Sequence, residues 1–264
     1  MNKKLYGNIL NSIDIEVKNA VNEQFNINDI DFSNDDETDC NPNIFNKEIQ
    51  TYYTYYLQML NGDVLTENAF TYMDTFESVI KPNDKEELKK IIEYYSEYYT
   101  EGSLNWLDVS DFTEMTQLFF NSQFNGDISR WDVSNVIMMN KMFYNSKFNN
   151  DISQWNVSRV RNMYSMFHKS VFNKDISRWN ISNVMNTGYM FAESHFNKDI
   201  SHWDTSGITY MGGMFSCSDF SGDISGWDVS NVENMQHMFY KTAFNGDISR
   251  WDVHNVWDMS AMFE

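Results

Sequence analysis

Residues 124–143 read FNGDISRWDVSNVIMMNKMF, and the same pattern restarts at Phe148, Phe172, Phe196, Phe220 and Phe244. The tryptophans Trp131, Trp155, Trp179, Trp203, Trp227 and Trp251 keep a spacing of 24 residues, with no residue gained or lost between copies. A fixed period of this length marks a unit that cannot bury its apolar face alone and stacks on its neighbours, as in a solenoid.

Within a unit the recurrent apolar positions are Phe124, Ile128, Trp131, Val133, Val136, Met139, Met142 and Phe143. The run from Phe124 to Trp131 reads as a short strand, and Met139, Met142 and Phe143 fall three to four apart, as on one side of a helical turn. Between them, DVSNV supplies Asp, Ser and Asn, which bond nearby backbone and favour turns. The expected fold is therefore an α/β leucine-rich-repeat-like solenoid: a short strand, a turn and a short helical segment in each 24-residue coil. A first, degenerate coil precedes the six copies in register. Leu104 stands at the Ile128 position, Leu107 at the Trp131 position, and Met115, Leu118 and Phe119 where Met139, Met142 and Phe143 recur.

The motif FNGDISRWDVSNV followed by an MF-terminated segment resembles the BspA-like leucine-rich repeat proteins, including the Mycoplasma-lipoprotein type of that repeat, over about residues 102–264. The resemblance implies a solenoid of the kind found on bacterial surface proteins, with related arrays in protist and viral proteins, linked to adhesion and protein–protein contact. It implies no catalytic residue and no cofactor.

Residues 1–101 read as a helical N-terminal domain and 102–264 as a seven-coil array. Leu5, Ile9, Ile13, Val17 and Val21 recur every four residues, and further helical runs follow at 47–60 and 67–80. Asn83 is expected to cap a last helix with Glu86 three residues on, after which Leu88, Ile91, Ile92, Tyr95 and Tyr99 form one face. That face leads into the first coil at Gly102, so this helix is expected to cover the open apolar end of the stack, as arrays require for solubility.

With 19 basic against 38 acidic residues the net charge is −19, which opposes phosphate-driven binding to nucleic acid. Residues 1–105 carry −12 of it and the repeats −7. Cys40 and Cys217 form neither a disulfide framework nor a zinc spacing. The N-terminal run MNKKLYGNILNSIDIEVK is broken by Asn8, Asn11, Ser12 and Asp14, so no signal peptide and no membrane span is expected, and a cytoplasmic or particle-bound location is favoured over a cell surface.

Asp127 recurs as Asp151, Asp175, Asp199, Asp223 and Asp247. Adjacent carboxylates one coil apart would repel by roughly 0.9 kcal/mol in bulk water. Bonds from nearby backbone, with pairing to basic side chains, are favoured over a column of metal ions. The five histidines lie in different repeat positions, and no phosphate loop or nucleophile elbow is present, so no enzyme is expected.

Binding is expected where copies differ. One such column is Trp106, Arg130, Gln154, Arg178, His202, Gly226 and Arg250, which places three arginines and a histidine on an acidic rod, with Trp106 as an aromatic anchor for an acidic or polar protein surface. A second is the final coil, where Trp257 and Phe263 are candidates for shielding the array's end or for contact there with a partner or a second copy. The expected function is a non-enzymatic protein–protein interaction module. The alternatives are a structural component of a phage or viral particle and, third, a bacterial surface adhesin.

Overall fold

The computed structural model describes residues 81–264, together with Gln58. The helical runs expected over Leu5–Val21, 47–60 and 67–80 lie, Gln58 apart, outside the described residues. The chain divides into two units, Met1–Lys81 and Pro82–Glu264. The unit containing the coils thus begins at Pro82 rather than at residue 102, because the helix that precedes the coils is packed onto them.

That helix, α1, spans Lys85–Tyr98. Its cap sits one residue later than the sequence suggests. The Asp84 carboxylate accepts from the Glu87 N–H at 2.8 Å, and Glu87 Oε2 in turn accepts from the backbone and side chain of Asn83 at 2.9 and 2.8 Å. A charged carboxylate complements the exposed N–H groups and the positive end of the helix better than a neutral amide does. Leu88, Ile91, Ile92, Tyr94 and Tyr95 are buried. The Tyr95 ring meets Trp106 at 6.2 Å and Phe124 at 6.3 Å, Ser96 Oγ lies 2.6 Å from Ser122 Oγ, and Lys85 pairs with Glu114 at 2.9 Å. Helix α1 therefore covers the first coil.

Coil one (residues 100–123) is followed by coils two to seven, which begin at Phe124, Phe148, Phe172, Phe196, Phe220 and Phe244. Phe124, Ile128, Trp131, Val133, Val136, Met139, Met142 and Phe143 are all buried, and their counterparts are buried through coil six almost without exception. The phenylalanines stack along the array, Phe143 on Phe167 at 5.5 Å and Phe167 on Phe191 at 5.8 Å. Each tryptophan of the Trp131 series donates its indole N–H to a carbonyl of the preceding coil, as Trp155 does to Ile128 at 3.1 Å and Trp179 to Ile152 at 3.1 Å.

Coil-to-coil backbone pairing lies where a helical segment is expected. Isolated parallel bridges join Glu114, Met138, Asn162, Asn186, Tyr210, Asn234 and Asp258 in order. Beyond each bridge the N–H groups of alternate residues donate to the next coil: Met139 to Asn162, Lys141 to Tyr164, Phe143 to Met166 and Asn145 to His168, at 2.8–2.9 Å. The intervening N–H groups close turns within the coil, Met142 to Met139, Tyr144 to Lys141 and Ser146 to Phe143, at 3.1–3.3 Å. Consecutive turns are possible because two residues per coil are left-handed, Lys141 at φ 57° and Asn145 at φ 50° in coil two, and likewise in coils one and three to six. A positive φ at the third residue of a four-residue turn is the type II arrangement. Apolar residues three and four apart satisfy this turn chain as well as a helix, which is why the spacing alone suggests the wrong element.

The strand expected over 124–131 is likewise absent among the described residues. Only at the junction of coils one and two does this segment pair through backbone, Asn125 with Thr100 and Asp127 with Gly102. There a Cβ at Gly126 would lie 1.6 Å from the Gly102 carbonyl oxygen, so only glycine fits. Higher up, side-chain amides take the carbonyl's place: the N–H groups of Asn149, Asn173, Asn197 and Ser221 donate to the Oδ1 atoms of Asn125, Asn149, Asn173 and Asn197.

Candidate functional site

Most of the recurrent polar residues are engaged by the fold. Each aspartate of the Asp127 series accepts the backbone N–H of the serine two residues on, at 2.9 Å in every copy. That bond holds the carboxyls of Asp175, Asp199, Asp223 and Asp247 below their ordinary range. Local bonding is thus how the column of like charges is accommodated. Among the described residues no group of three or more His, Cys, Asp or Glu is arranged to hold a metal ion. Cys217 is an exposed free thiol at a left-handed turn position.

Of the column singled out from sequence, Arg130, Gln154, Arg178, His202, Gly226 and Arg250 are exposed and fall at one position of successive coils. Trp106 is not part of that surface. It is 4% exposed, donates its indole N–H to the Ser103 carbonyl at 2.9 Å and packs beneath Tyr95 of α1, so it is unavailable as an anchor for a partner. The degenerate first coil diverts this side chain inward to meet the helix that covers it.

At the last coil the two expected end-contact residues part company. Phe263 lies on Phe239 at 5.5 Å, continuing the phenylalanine column, and is 60% exposed. Trp257 does not shield the end. It lies between Val256 and Met259, whose counterparts in coil two are buried, and is 72% exposed, lining a groove with Thr209 and Glu233 of the two coils below.

A further surface was not evident from the sequence. Along the turn ladder, Phe120 stacks on Tyr144 at 4.9 Å and 11°, Tyr144 meets His168 at 4.8 Å, and His168 meets Tyr189 at 6.1 Å. Tyr164 meets Tyr189 edge-on at 5.9 Å. The Tyr189 ring lies over Gly213, and that of Tyr210 over Gly188 and Gly212; a Cβ at Gly188 would stand 2.4 Å from Tyr210 Cε1. The result is an aromatic strip over coils one to five, from the exposed Phe120 through half-buried tyrosines. Beside it Glu193 accepts from His168 at 3.2 Å and lies 3.5 Å from Lys169. Burial lowers the His168 pKa, although the Glu193 carboxylate works against it. The strip is hidden in sequence because its members occupy four different repeat positions, which only the turn ladder brings side by side.

Among the described residues no helix is long and apolar enough to cross a membrane. No curated protein and no solved structure was found to match the chain. A family model does match, over residues 86–195 and again over 171–264, which takes in α1 and all seven coils; the chain belongs to the repeat family described as Mycoplasma protein of unknown function, DUF285.

Proposed function

We propose that the protein is a non-enzymatic interaction module: a leucine-rich-repeat-like solenoid of the BspA-like type, closed at one end by α1, that binds another protein through its variable outer columns. The observation that supports this reading is where the coils differ. Core positions and turn-forming polar residues recur, whereas variation collects on the exterior, in the aromatic strip and the arginine column. Aromatic and arginine side chains are the residue types that dominate binding energy at protein interfaces. The strip carries the contact in this proposal, and the arginine column steers an acidic partner surface.

The test is affinity capture, after cross-linking, with three forms of the full chain: unaltered, Phe120→Ser with Tyr144→Ser, and Arg130, Arg178 and Arg250→Ser. The expected result is one defined partner, lost by the aromatic variant and reduced by the arginine variant, with the melting temperature of each little changed. A partner held equally by all three forms overturns the assignment of both surfaces.

A further inference from the structure

Away from the aromatic strip, three consecutive coils enclose a groove of about 470 Å³ lined by Gly207, Thr209, Asn231, Glu233, Asn255 and Trp257. Its chemistry is one-sided. Asn231 and Asn255 each use the amide N–H₂ to donate to a serine carbonyl of the coil below, Ser206 at 2.8 Å and Ser230 at 2.7 Å. Their amide oxygens are left as acceptors. Glu233 is exposed, and none of the other described residues bonds its carboxylate. Trp257 stands one coil above Glu233, tied to it through the Trp257 N–H to Glu233 carbonyl bond at 3.0 Å. Position 207, which is Asn in most coils, is glycine, and a Cβ there would meet the Ser182 carbonyl at 2.5 Å, so the floor stays open. Acceptor oxygens, a carboxylate and an aromatic ring thus line one groove, with no cationic side chain among them.

The chain shows what fills this arrangement. In coil three the position of Asn255 is taken by Arg159, whose guanidinium donates to Asn135 Oδ1 at 2.7 Å, while Asn135 Nδ2 is held by the Ser110 carbonyl at 2.9 Å. Asn135 is the counterpart of Asn231. The same amide oxygen that accepts a guanidinium N–H inside coils two and three is therefore left to an outside donor in coils six and seven.

We propose that the groove binds the side chain of an arginine presented by another protein. The guanidinium stacks on the Trp257 ring and donates to the Glu233 carboxylate and to the Asn231 and Asn255 amide oxygens. Its planar fork can stack and donate to several acceptors at once, which a lysine ammonium cannot. The net charge of −19 draws a basic segment toward the chain.

Trp257 supplies the readout, since the other seven tryptophans are buried. The full chain is titrated with acetyl-Gly-Arg-Gly-amide and, separately, with the same peptide carrying citrulline, the neutral isostere; binding is followed by Trp257 fluorescence and by calorimetry. The arginine peptide is expected to saturate and the citrulline peptide not to bind. Glu233→Gln is expected to weaken binding about three- to fivefold, the size of an exposed ion pair. Trp257→Ala, followed by calorimetry, is expected to weaken it to a similar degree through loss of the stacking face. Asn255→Arg reproduces the coil-three arrangement, fills the groove from within and is expected to abolish binding with the fold retained. Glu93→Gln on α1 removes the same charge elsewhere and is expected to leave binding unchanged. Equal binding of the citrulline peptide, an Asn255→Arg variant that binds normally, or a Glu93→Gln effect equal to that of Glu233→Gln would each overturn the proposal. Because Phe120 and Tyr144 take no part, failure here leaves the aromatic strip standing, and the converse holds as well.

Discussion

Replacing Trp179 by Phe measures how strongly one coil grips the next. The indole N–H donates to the Ile152 carbonyl at 3.1 Å, and that carbonyl also accepts the Trp155 backbone N–H at 3.2 Å within its own coil. Removing the indole bond leaves the carbonyl with one partner, so the loss is that of a net hydrogen bond, about 1 kcal/mol, and not the larger penalty of an orphaned buried group. The side chain also shrinks by roughly 40 Å³, worth about 1 kcal/mol if the neighbours do not close in. Trp179 is 3% exposed with coils on both sides, so little collapse is open to it. The sum is about 2 kcal/mol, read by equilibrium urea unfolding of the full chain. Trp251→Phe breaks the equivalent 3.2 Å bond to Ile224 in the last described coil, where Val253 and Met259 are 38% and 40% exposed. Relaxation is easier there, and the loss should be about half as large. An equal or greater loss at Trp251, or less than about 0.5 kcal/mol at Trp179, would refute the view that the indole bonds clamp the coils together.

Four further outcomes follow from the same geometry. Deleting residues 172–195, one whole coil, rejoins identical positions and should leave a cooperatively folding protein of lower melting temperature, whereas deleting 172–183 should abolish folding; circular dichroism separates the two. At Lys141, held at φ 57°, Lys141→Gly should be neutral or stabilising, while Lys141→Val should lose about 1–2 kcal/mol in the same unfolding assay. Acid should destabilise the array. Asp132, Asp175, Asp199, Asp223, Asp228, Asp247, Asp252 and Asp258 have folded-state pKa values below the ordinary 3.8, so their contribution is present above about pH 4 and is lost as pH falls through the lowered values. Thermal melts between pH 7 and pH 2.5 should fall steeply only in the last unit and a half. Tyr95→Ala, which removes the ring lying against Trp106 and Phe124, should expose the apolar end of coil one and raise binding of a hydrophobic dye.

The positions inside the array were legible because burial confines them almost entirely to apolar side chains. Eight apolar slots return every 24 residues, and the corresponding side chains of coil two are at most 3% exposed. What those slots could not convey was the backbone between them. Met139, Met142 and Phe143 line one side of a helix or of a turn chain equally well, and the residues that distinguish the two, Lys141 and Asn145, are of types that announce no left-handed turn except for the asparagine. Trp106 misleads for another reason. Its register places it on the outside, but the register describes coil against coil, and coil one has a helix on its other side. The outer surfaces were half legible: the arginine column follows one repeat position and can be read from sequence, while the aromatic strip and the Trp257 groove cross several.

A simple physical rule separates scaffold from surface in this chain. Most residues that recur from coil to coil have their bonding capacity occupied by the array: aspartate oxygens by serine N–H groups, the oxygens of the Asn125 series by the next coil's backbone, indole N–H groups by the preceding coil's carbonyls. Repetition favours this, because a group left unsatisfied by the repeat itself would be left so in every coil, and buried polar groups without partners are strongly disfavoured. Unused capacity therefore collects mainly where one coil or its neighbour departs from the others. Glu233 where the other coils have Thr, Ile, Arg, Met or Trp, Gly207 where most coils have Asn, and Phe120 and Tyr144 where coils four and five have Ala192 and Ser216 are such departures. Substitutions at these places should alter what the protein binds with little effect on its stability, and substitutions at the recurrent places should do the reverse. A variant set measured for both properties would show the two classes falling apart along that line, and the rule fails if they overlap.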